Sequence, residues 1–225
     1  MLIEFKNVSV ERECRLVLTD LSLVLSEQRI GVVGPNGSGK SSLVRLINGL
    51  LLPHAGQVCV NGLDTGKDVA AVRRQVGFVF QNPDSQIVFP VVHEDIEFGL
   101  KHREPDPERR VLRALAALER LGVGHLAERS VHTLSGGERQ LVALAAVLAT
   151  EPEILVFDEP TTQLDLRLRN RFEAHLAGLP QPALVVSHDL ALMHQMDRVL
   201  VIDQGKLAFD GVPTEALSWY QAHCA

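Results

Sequence analysis

The residues best suited to chemistry form a glycine-rich run that ends in a lysine and two hydroxyl groups. The run follows the apolar stretch 30–33 and opens an apolar helix, which is the context of a phosphate-binding loop. Glycines turn backbone N–H groups toward an anion, and the helix N-terminus adds partial positive charge. We therefore predict a nucleotide triphosphate site at Gly34, Pro35, Asn36, Gly37, Ser38, Gly39, Lys40, Ser41 and Ser42.

Two of these residues have distinct expected roles. Lys40 carries a full charge that can follow the β- and γ-phosphates, and the Ser41 hydroxyl is placed to ligate Mg²⁺. The alternative is a glycine-rich turn with an exposed lysine, which the flanking strand and helix patterns disfavour.

Carboxylates follow a second apolar strand. The stretch 154–157 ends in Asp158 and Glu159, as expected of a buried parallel strand that reaches a ligand crevice. Asp158 suits the outer sphere of Mg²⁺, and Glu159 could polarise an attacking water as a general base. The apolar stretch 183–186 leads to His188, which could bond the γ-phosphate or the water. A histidine after a strand is otherwise an ordinary loop or core residue.

A serine and two glycines precede a helix that we predict from about Arg139 to Thr150. Ser135 can cap this helix, whose N-terminus would offer a second anion site. Ser135 and Glu138 also have the spacing of an ordinary capping box, and local chemistry leaves both interpretations open.

In this order, the motifs resemble those of the nucleotide-binding subunits of ABC transporters over nearly the whole chain. The resemblance identifies 34–41 as the Walker A loop, Asp158 and Glu159 as the Walker B carboxylates, and His188 as the switch histidine. It makes Gln81 the Q-loop glutamine, a further Mg²⁺ and ATP contact, and Asp165 part of the D-loop at the subunit interface. It implies an ATPase with ATP and Mg²⁺ as ligands.

The same resemblance implies that two ATPase subunits meet head to tail. The signature residues of one subunit would then contact the γ-phosphate held by the partner's Lys40; they are Ser135, Gly136, Gly137 and Glu138. Hydrolysis would shift the population from closed to open dimers. The pair could be two copies of this chain or this chain with a paralogue.

The segment after Gln81 is similar to that of the energy-coupling factor (ECF) importers of vitamins and metal ions. That group has a transmembrane coupling subunit, whose helix would dock here on Ile87, Val88 and Phe89, and a separate substrate-binding membrane subunit. The solute is therefore open among biotin, other vitamins, cobalt and nickel. Without a partner, the segment would be a loop and an acidic amphipathic helix that cover a sheet edge.

One departure from the family concerns adenine. Family members usually have an aromatic residue near the end of the first strand, and residues 8–16 contain none. Arg12 or Arg15 could lay a guanidinium plane on the base, or both could be solvated charges in a hairpin turn.

The pattern predicts an α/β fold with an inserted α-helical subdomain, and the resemblance implies a P-loop NTPase core of ABC type with an N-terminal antiparallel β subdomain. We assign 1–92 and 151–225 to the core and 93–150 to the helical insertion. Strands are expected near 2–10, 16–25, 57–60, 76–80, 154–157, 184–187, 199–203 and 206–210, and a short helix at 213–220.

Composition agrees with an ATPase whose membrane location, at the cytoplasmic face, comes from its partners. No apolar run is long enough to span a bilayer. The three cysteines are widely separated, which favours a reducing compartment, and the net charge of -6 argues against nucleic acid as a partner. ABC proteins of DNA repair carry a long coiled coil between the Walker motifs, and those of translation carry two motif sets. This chain shows neither.

Overall fold

A computed structural model describes residues 1–224, and Ala225 lies outside the described residues. The chain forms two compact units. The first comprises Met1–Phe78, Glu153–Glu159 and the chain from Gln181 onward, and the second comprises Val79–Pro152 and Pro160–Pro180. The helical insertion predicted at 93–150 falls within the second unit, which also takes in 79–92 and 160–180.

The first unit contains two β-sheets. Their strands in chain order are β1 (Ile3–Arg12), β2 (Arg15–Leu25), β3 (Arg29–Val33), β4 (Ala55–Val60), β5 (Leu63–Asp64), β6 (Val76–Val79, ending one residue past the unit), β7 (Ile154–Asp158), β8 (Ala183–Val186), β9 (Arg198–Asp203) and β10 (Lys206–Gly211). One sheet is antiparallel in the order β2-β1-β4-β5, as predicted for the N-terminal part. The other has the order β10-β9-β3-β8-β7-β6.

The centre of the larger sheet positions the chemistry. Strands β9, β3, β8 and β7 pair in parallel, and β10 adds an antiparallel edge. Every residue of β7 and β8 is buried, which explains why β8 and β7 up to Phe157 are continuously apolar. Because the strands are parallel, the loops after β3, β7 and β8 emerge at one edge of the sheet, where open α/β sheets bind ligands.

The α-helices follow the hydrophobic pattern with a few exceptions. They are α1 (Lys40–Ile47), α2 (Val69–Gln75), α3 (Val92–Leu100), α4 (Pro107–Arg120), α5 (Gly136–Ala149), α6 (Leu166–Gly178), α7 (Leu190–Met193) and α8 (Pro213–Cys224). The second unit packs α3, α4 and α5 together through apolar side chains that include Ile96, Leu118 and Leu144. Among residues 1–224, no helix is both long and apolar enough to cross a membrane.

The fold class predicted from the sequence is confirmed, and several element bounds were wrong. Helix α5 begins at Gly136 and not at Arg139, because a capping box stabilises its first turn despite two glycines. Helix α8 extends past 220 to Cys224. The helical pattern from 93 to 150 divides into α3, α4 and α5, with loops and two short 3₁₀ turns in between. Helices α2, α6 and α7 were not predicted.

Candidate functional site

The glycine-rich run forms a loop between β3 and α1. Its first residue, Gly34, has φ +153° and lies so close to the Ile202 carbonyl oxygen that a Cβ atom there would overlap it. At the other end, Gly39 is the N-cap of α1, and no side chain of the described residues caps this helix. The first N–H groups of α1 are therefore available for an anion.

The Lys40 side chain folds back over its own loop. Its Nζ donates to the carbonyl oxygens of Gly34 at 2.7 Å and Pro35 at 2.9 Å. Burial lowers the pKa of the Lys40 ammonium from its ordinary value, and the nearby carboxylates of Glu159 and Asp158 act in the opposite direction. The ammonium is thus held beside the loop by neutral carbonyls, which a phosphate can replace as stronger partners.

Asp158 ends β7 as a fully buried carboxylate that two side chains of α1 satisfy. The Ser41 hydroxyl donates to its Oδ1 at 2.8 Å, and the Arg45 guanidinium donates to its Oδ2 at 3.3 Å. The predicted pair of Ser41 and Asp158 is therefore brought together. Arg45 was missed by the sequence reasoning, although a basic residue one helical turn after Ser41 is a signal that could have identified it.

The next residue, Glu159, has a left-handed backbone with φ +53°, an uncommon conformation for a side chain other than glycine. Its N–H donates to the Val186 carbonyl at 3.0 Å, which continues the parallel pairing of β7 with β8 by one residue. The buried Glu159 carboxylate lies 3.3 Å from His188 Nε2, and His188 is exposed. The structure thus pairs the predicted base with the predicted switch histidine.

A cleft of about 670 Å³ lies beside the phosphate loop in the first unit. Its lining comes from the start of β2, the loop residues 35–38 and the β9–β10 turn, and comprises Arg15, Leu16, Val17, Pro35, Asn36, Gly37, Ser38, Asp203, Gln204 and Gly205. Backbone bonds fix this arrangement, since Gly205 donates to the Ser38 carbonyl and accepts from the Thr19 N–H. Arg15 lines the cleft, whereas Arg12 is not among its lining residues.

Leu16 is the most apolar group that the cleft presents. Leu16 is 57% exposed, so its aliphatic side chain is accessible to a ligand in the cleft. Sequence reasoning searched for aromatic rings and missed it. The sequence shows an aliphatic residue beside Arg15, but its exposure is known only from the structure.

The signature residues form the N-terminus of α5 in the second unit. The Ser135 hydroxyl accepts from the Glu138 N–H at 3.3 Å, and the Glu138 carboxylate accepts from the Ser135 N–H at 2.8 Å. The N–H and the hydroxyl of Ser135 both donate to the Glu138 carboxylate and lower its pKa. Gly137 is buried, and a Cβ atom there would overlap the Leu168 side chain of α6. Both the capping box and the glycine therefore have structural reasons of their own.

The remaining predicted site residues also belong to the second unit. Gln81 is exposed just after β6. Asp165 is the N-cap of α6 and accepts from the Leu168 N–H at 2.8 Å. The roles of both in nucleotide binding stay predictions.

A groove of about 310 Å³ is lined by the segment after Gln81 together with residues of α5 and the turn that precedes it. Ile87, Val88 and Phe89 all lie on it, and Val88 is 70% exposed. Phe89 is half-buried, with its ring centroid 5.0 Å from that of Phe98 on α3. Buried Asp95 accepts from the N–H groups of both Val88 and Phe89, at 2.7 and 2.9 Å, which sets the backbone of the segment.

The comparisons with known proteins agree with this geometry. The profile of the ABC transporter family matches residues 18–162. The chain belongs to the ABC transporter family. It is an ABC-type ATPase that couples the hydrolysis of ATP to transport, as its motif order predicted.

Relatives of this ABC ATPase match over most of its length. A putative ABC transporter ATP-binding protein of Deinococcus radiodurans is 55% identical over 98% of this chain and 97% of the relative. The biotin transport ATP-binding protein BioM of Rhizobium etli is 48% identical over 98% of each. The energy-coupling factor transporter ATP-binding protein EcfA1 of Halalkalibacterium halodurans is 39% identical over 86% of this chain and 71% of the relative.

Solved ABC structures share the fold. The structure of cbiO1 from Clostridium perfringens, described as part of the ABC transporter complex cbiONQ, aligns with a TM-score of 0.83 and 26% identity. The alignment covers 98% of this chain and 92% of that one.

Proposed function

We propose that this chain is the ATPase subunit of an ECF-type importer of a vitamin or transition-metal ion, with biotin as the first candidate and cobalt or nickel as the next. It would work at the cytoplasmic face of the cell membrane, paired with a second ATPase subunit of its own kind or a paralogue. A transmembrane coupling subunit and a substrate-binding membrane subunit complete the assembly, which involves no nucleic acid. Relatives named for biotin transport and for energy coupling support this assignment.

The observation that carries the importer assignment is that segment 80–89, part of which lines the groove, is bonded to α5, the helix that begins at the signature residues. Gln86 donates to the Ala143 carbonyl of α5 at 2.8 Å, and Gln140 of α5 donates to the Phe80 carbonyl at 3.3 Å. Asp84 forms an ion pair with Arg139 at 3.5 Å. A partner helix in the groove would therefore push on the helix that bears the signature.

The apolar lining of the groove is better suited to contact with a helix of a membrane subunit than to exposure to solvent. Ile87, Val88 and Phe89 give the groove apolar surface, and the charged residues Asp84 and Arg139 also line it. Amphipathic helices dock in such grooves through a few apolar anchors, with polar contacts around them.

At the nucleotide, we assign the triphosphate to the loop 34–42 with Lys40, and Mg²⁺ to Ser41 and Asp158 with Gln81 as a further ligand. The hydroxyl and carboxylate, 2.8 Å apart, are the oxygen donors that Mg²⁺ prefers, and Mg²⁺ is commonly bound through one or two carboxylates together with substrate phosphates. When bound, Mg²⁺ would neutralise phosphate charge. Glu159 polarises the attacking water and His188 holds the γ-phosphate or that water.

The base would lie in the cleft against Leu16, with the Arg15 guanidinium over it. An aliphatic contact and a cation replace the aromatic ring that family members usually have. Arg12 is the weaker candidate because it does not line the cleft.

The proposed pairing is head to tail, with Ser135, Gly136, Gly137 and Glu138 acting on the partner's nucleotide and Asp165 at the interface. Mixing two defective chains tests this arrangement. A Lys40→Ala chain paired with a Ser135→Arg chain would have one site with both lesions and one intact site. We expect the mixed dimer to hydrolyse ATP while each parent dimer does not. Two equally inactive sites in the mixed dimer would exclude the head-to-tail arrangement.

The importer assignment is tested by Val88→Asp, with Leu112→Asp as the matched control. Leu112 lies on α4, is 66% exposed and does not line the groove. We expect Val88→Asp to prevent co-purification with multispanning membrane proteins and to abolish uptake of labelled biotin by cells, while the control retains both. If both variants retain uptake of biotin, cobalt and nickel, and both keep their membrane partners, the docking assignment is wrong.

A further inference from the structure

Two side chains of α1 bind opposite oxygens of the same buried carboxylate. Ser41 and Arg45 are four residues apart, so they lie on one face of the helix. Ser41 donates to Asp158 Oδ1 at 2.8 Å and Arg45 donates to Oδ2 at 3.3 Å. The carboxylate is fully buried, whereas the Arg45 side chain is 36% exposed and approaches from the solvent side.

We infer that Arg45 is a positioning residue for the metal site, which rests on the proposed assignment of Mg²⁺ to Ser41 and Asp158. A carboxylate can rotate about its Cβ–Cγ bond and exchange its two oxygens. A cation fixed on Oδ2 keeps Oδ1 facing Ser41 before nucleotide arrives. Partners that orient a metal-binding carboxylate in this way are typically worth 10–100-fold in metal affinity or activity, an order-of-magnitude range.

The surroundings of Arg45 differ from those of an arginine that serves stability. Arg198 in the same unit bonds both oxygens of Asp210, both oxygens of Glu27 and the Val24 carbonyl. The Arg45 guanidinium has Asp158 as its acceptor, and its buried Nε has no hydrogen-bond partner within residues 1–224. A planar fork with five donors is thus directed at a single carboxylate oxygen.

A competing role predicts the opposite effect. If Arg45 occupied the carboxylate in place of the metal and had to leave when Mg²⁺ bound, its removal would strengthen the response to Mg²⁺. If Arg45 served only to hold α1 against β7, its removal would lower the melting temperature and leave that response unchanged. Removal of Arg45 should therefore weaken the response to Mg²⁺, strengthen it or leave it unchanged, depending on which of the three roles is correct.

The quantity is the dissociation constant of the imido analogue of ATP in EDTA divided by its dissociation constant in excess Mg²⁺. Both are measured by calorimetry on the full chain. We expect Arg45→Met to leave the value in EDTA nearly unchanged and to reduce the ratio by about 10-fold or more. Arg45→Lys should recover part of the ratio, because it restores a charge without the planar fork. Should Arg45→Met fail to fold, Arg45→Gln carries the same expectation.

Arg73→Met is the matched control, because Arg73 donates to the carbonyls of Asn48 and Gly49 just after the same helix and does not contact Asp158. It should keep the full ratio. A ratio that is unchanged or larger in the Arg45 variants would overturn the inference. Ser41→Ala and Asp158→Asn test the metal assignment separately: if they too keep the full ratio, the proposed Mg²⁺ site itself is wrong.

Discussion

Gly137 offers a way to separate packing from nucleotide chemistry within the signature. A Cβ atom at this position would lie inside 3.0 Å of Leu168 Cδ1 on α6, whereas carbon atoms pack best at about 3.5–4.0 Å. Gly137→Ala must therefore displace the end of Leu168. Such overpacking costs about 1–3 kcal/mol. The value should fall in the lower part of this range, because Leu168 is half-buried and flexible.

Helix propensity offsets part of that cost. Alanine is favoured over glycine in a helix by up to about 1 kcal/mol. We therefore expect Gly137→Ala alone to destabilise the chain by about 1 kcal/mol at most, which lowers the melting temperature by no more than about 2–4 °C. In a Leu168→Ala background the overlap is gone, and the same change should be neutral or stabilising. The coupling energy between the two positions should then be about 1–3 kcal/mol.

Urea unfolding of the four chains of this double-mutant cycle measures the coupling, and the ATPase rate of each folded chain measures function. If Gly137 also contacts the partner's nucleotide, the double variant should be stable but remain slow in hydrolysis. Full recovery of the rate would assign the glycine to packing alone. A coupling energy near zero would refute the packing argument.

Four further expectations follow from the site and its surroundings. Glu159→Gln should retain ATP binding and lose turnover by about 10² or more, the contribution of a general base, and near-normal turnover would remove Glu159 from that role. Phe89→Ala should lose only about 1 kcal/mol of stability in urea unfolding, because the ring is half-buried and packs against Phe98, yet lose uptake in cells; unchanged uptake would contradict docking. Arg198→Met should cost about 1–2 kcal/mol in the same assay, since it removes two ion pairs, to Asp210 and to Glu27, that are partly exposed to solvent; a cost near zero would contradict this. The lowered pKa of Glu138 means that its capping contribution is present above the usual value of about 4.5 and lost as the pH falls through the lower folded value. Glu138→Gln should therefore show a weaker fall in melting temperature between pH 5 and pH 3, by about the contribution of one carboxylate.

The sequence alone was enough to predict those parts of the site in which the chemistry requires particular residues at a fixed spacing. The loop at 34–41 is a strand, a turn and a helix start in one continuous run, so its geometry follows from local pattern. Asp158 and Ser41, by contrast, are distant in sequence, and their contact depends on the order of strands in the sheet. The resemblance to a known family supplied that order, which periodicity alone does not provide.

The missed elements have weak local signals. Helix α6 is rich in arginine and buries only Phe172 and Leu176, so its hydrophobic stripe is too narrow to stand out. Helix α2 buries Val72 alone. The Asp165 cap and the absence of breakers before Gly178 were the usable evidence for α6. Arg45 was missed for another reason: its partner Asp158 is 113 residues away.

The N-termini of α1 and α5 differ in whether their polar groups are available to bind an anion. Helix α1 begins at an uncapped glycine, so its N–H groups can meet phosphate directly. Helix α5 begins in a closed capping box, in which the Ser135 hydroxyl gives its one hydrogen to Glu138 at 2.8 Å. A hydroxyl has a single proton to donate, so Ser135 cannot donate to a partner's γ-phosphate while that bond exists. In the proposed dimer, closure must therefore exchange the Glu138 contact for a phosphate contact. Since the carboxylate and the phosphate are both anions, the exchange also requires the Glu138 side chain to turn away from the incoming nucleotide.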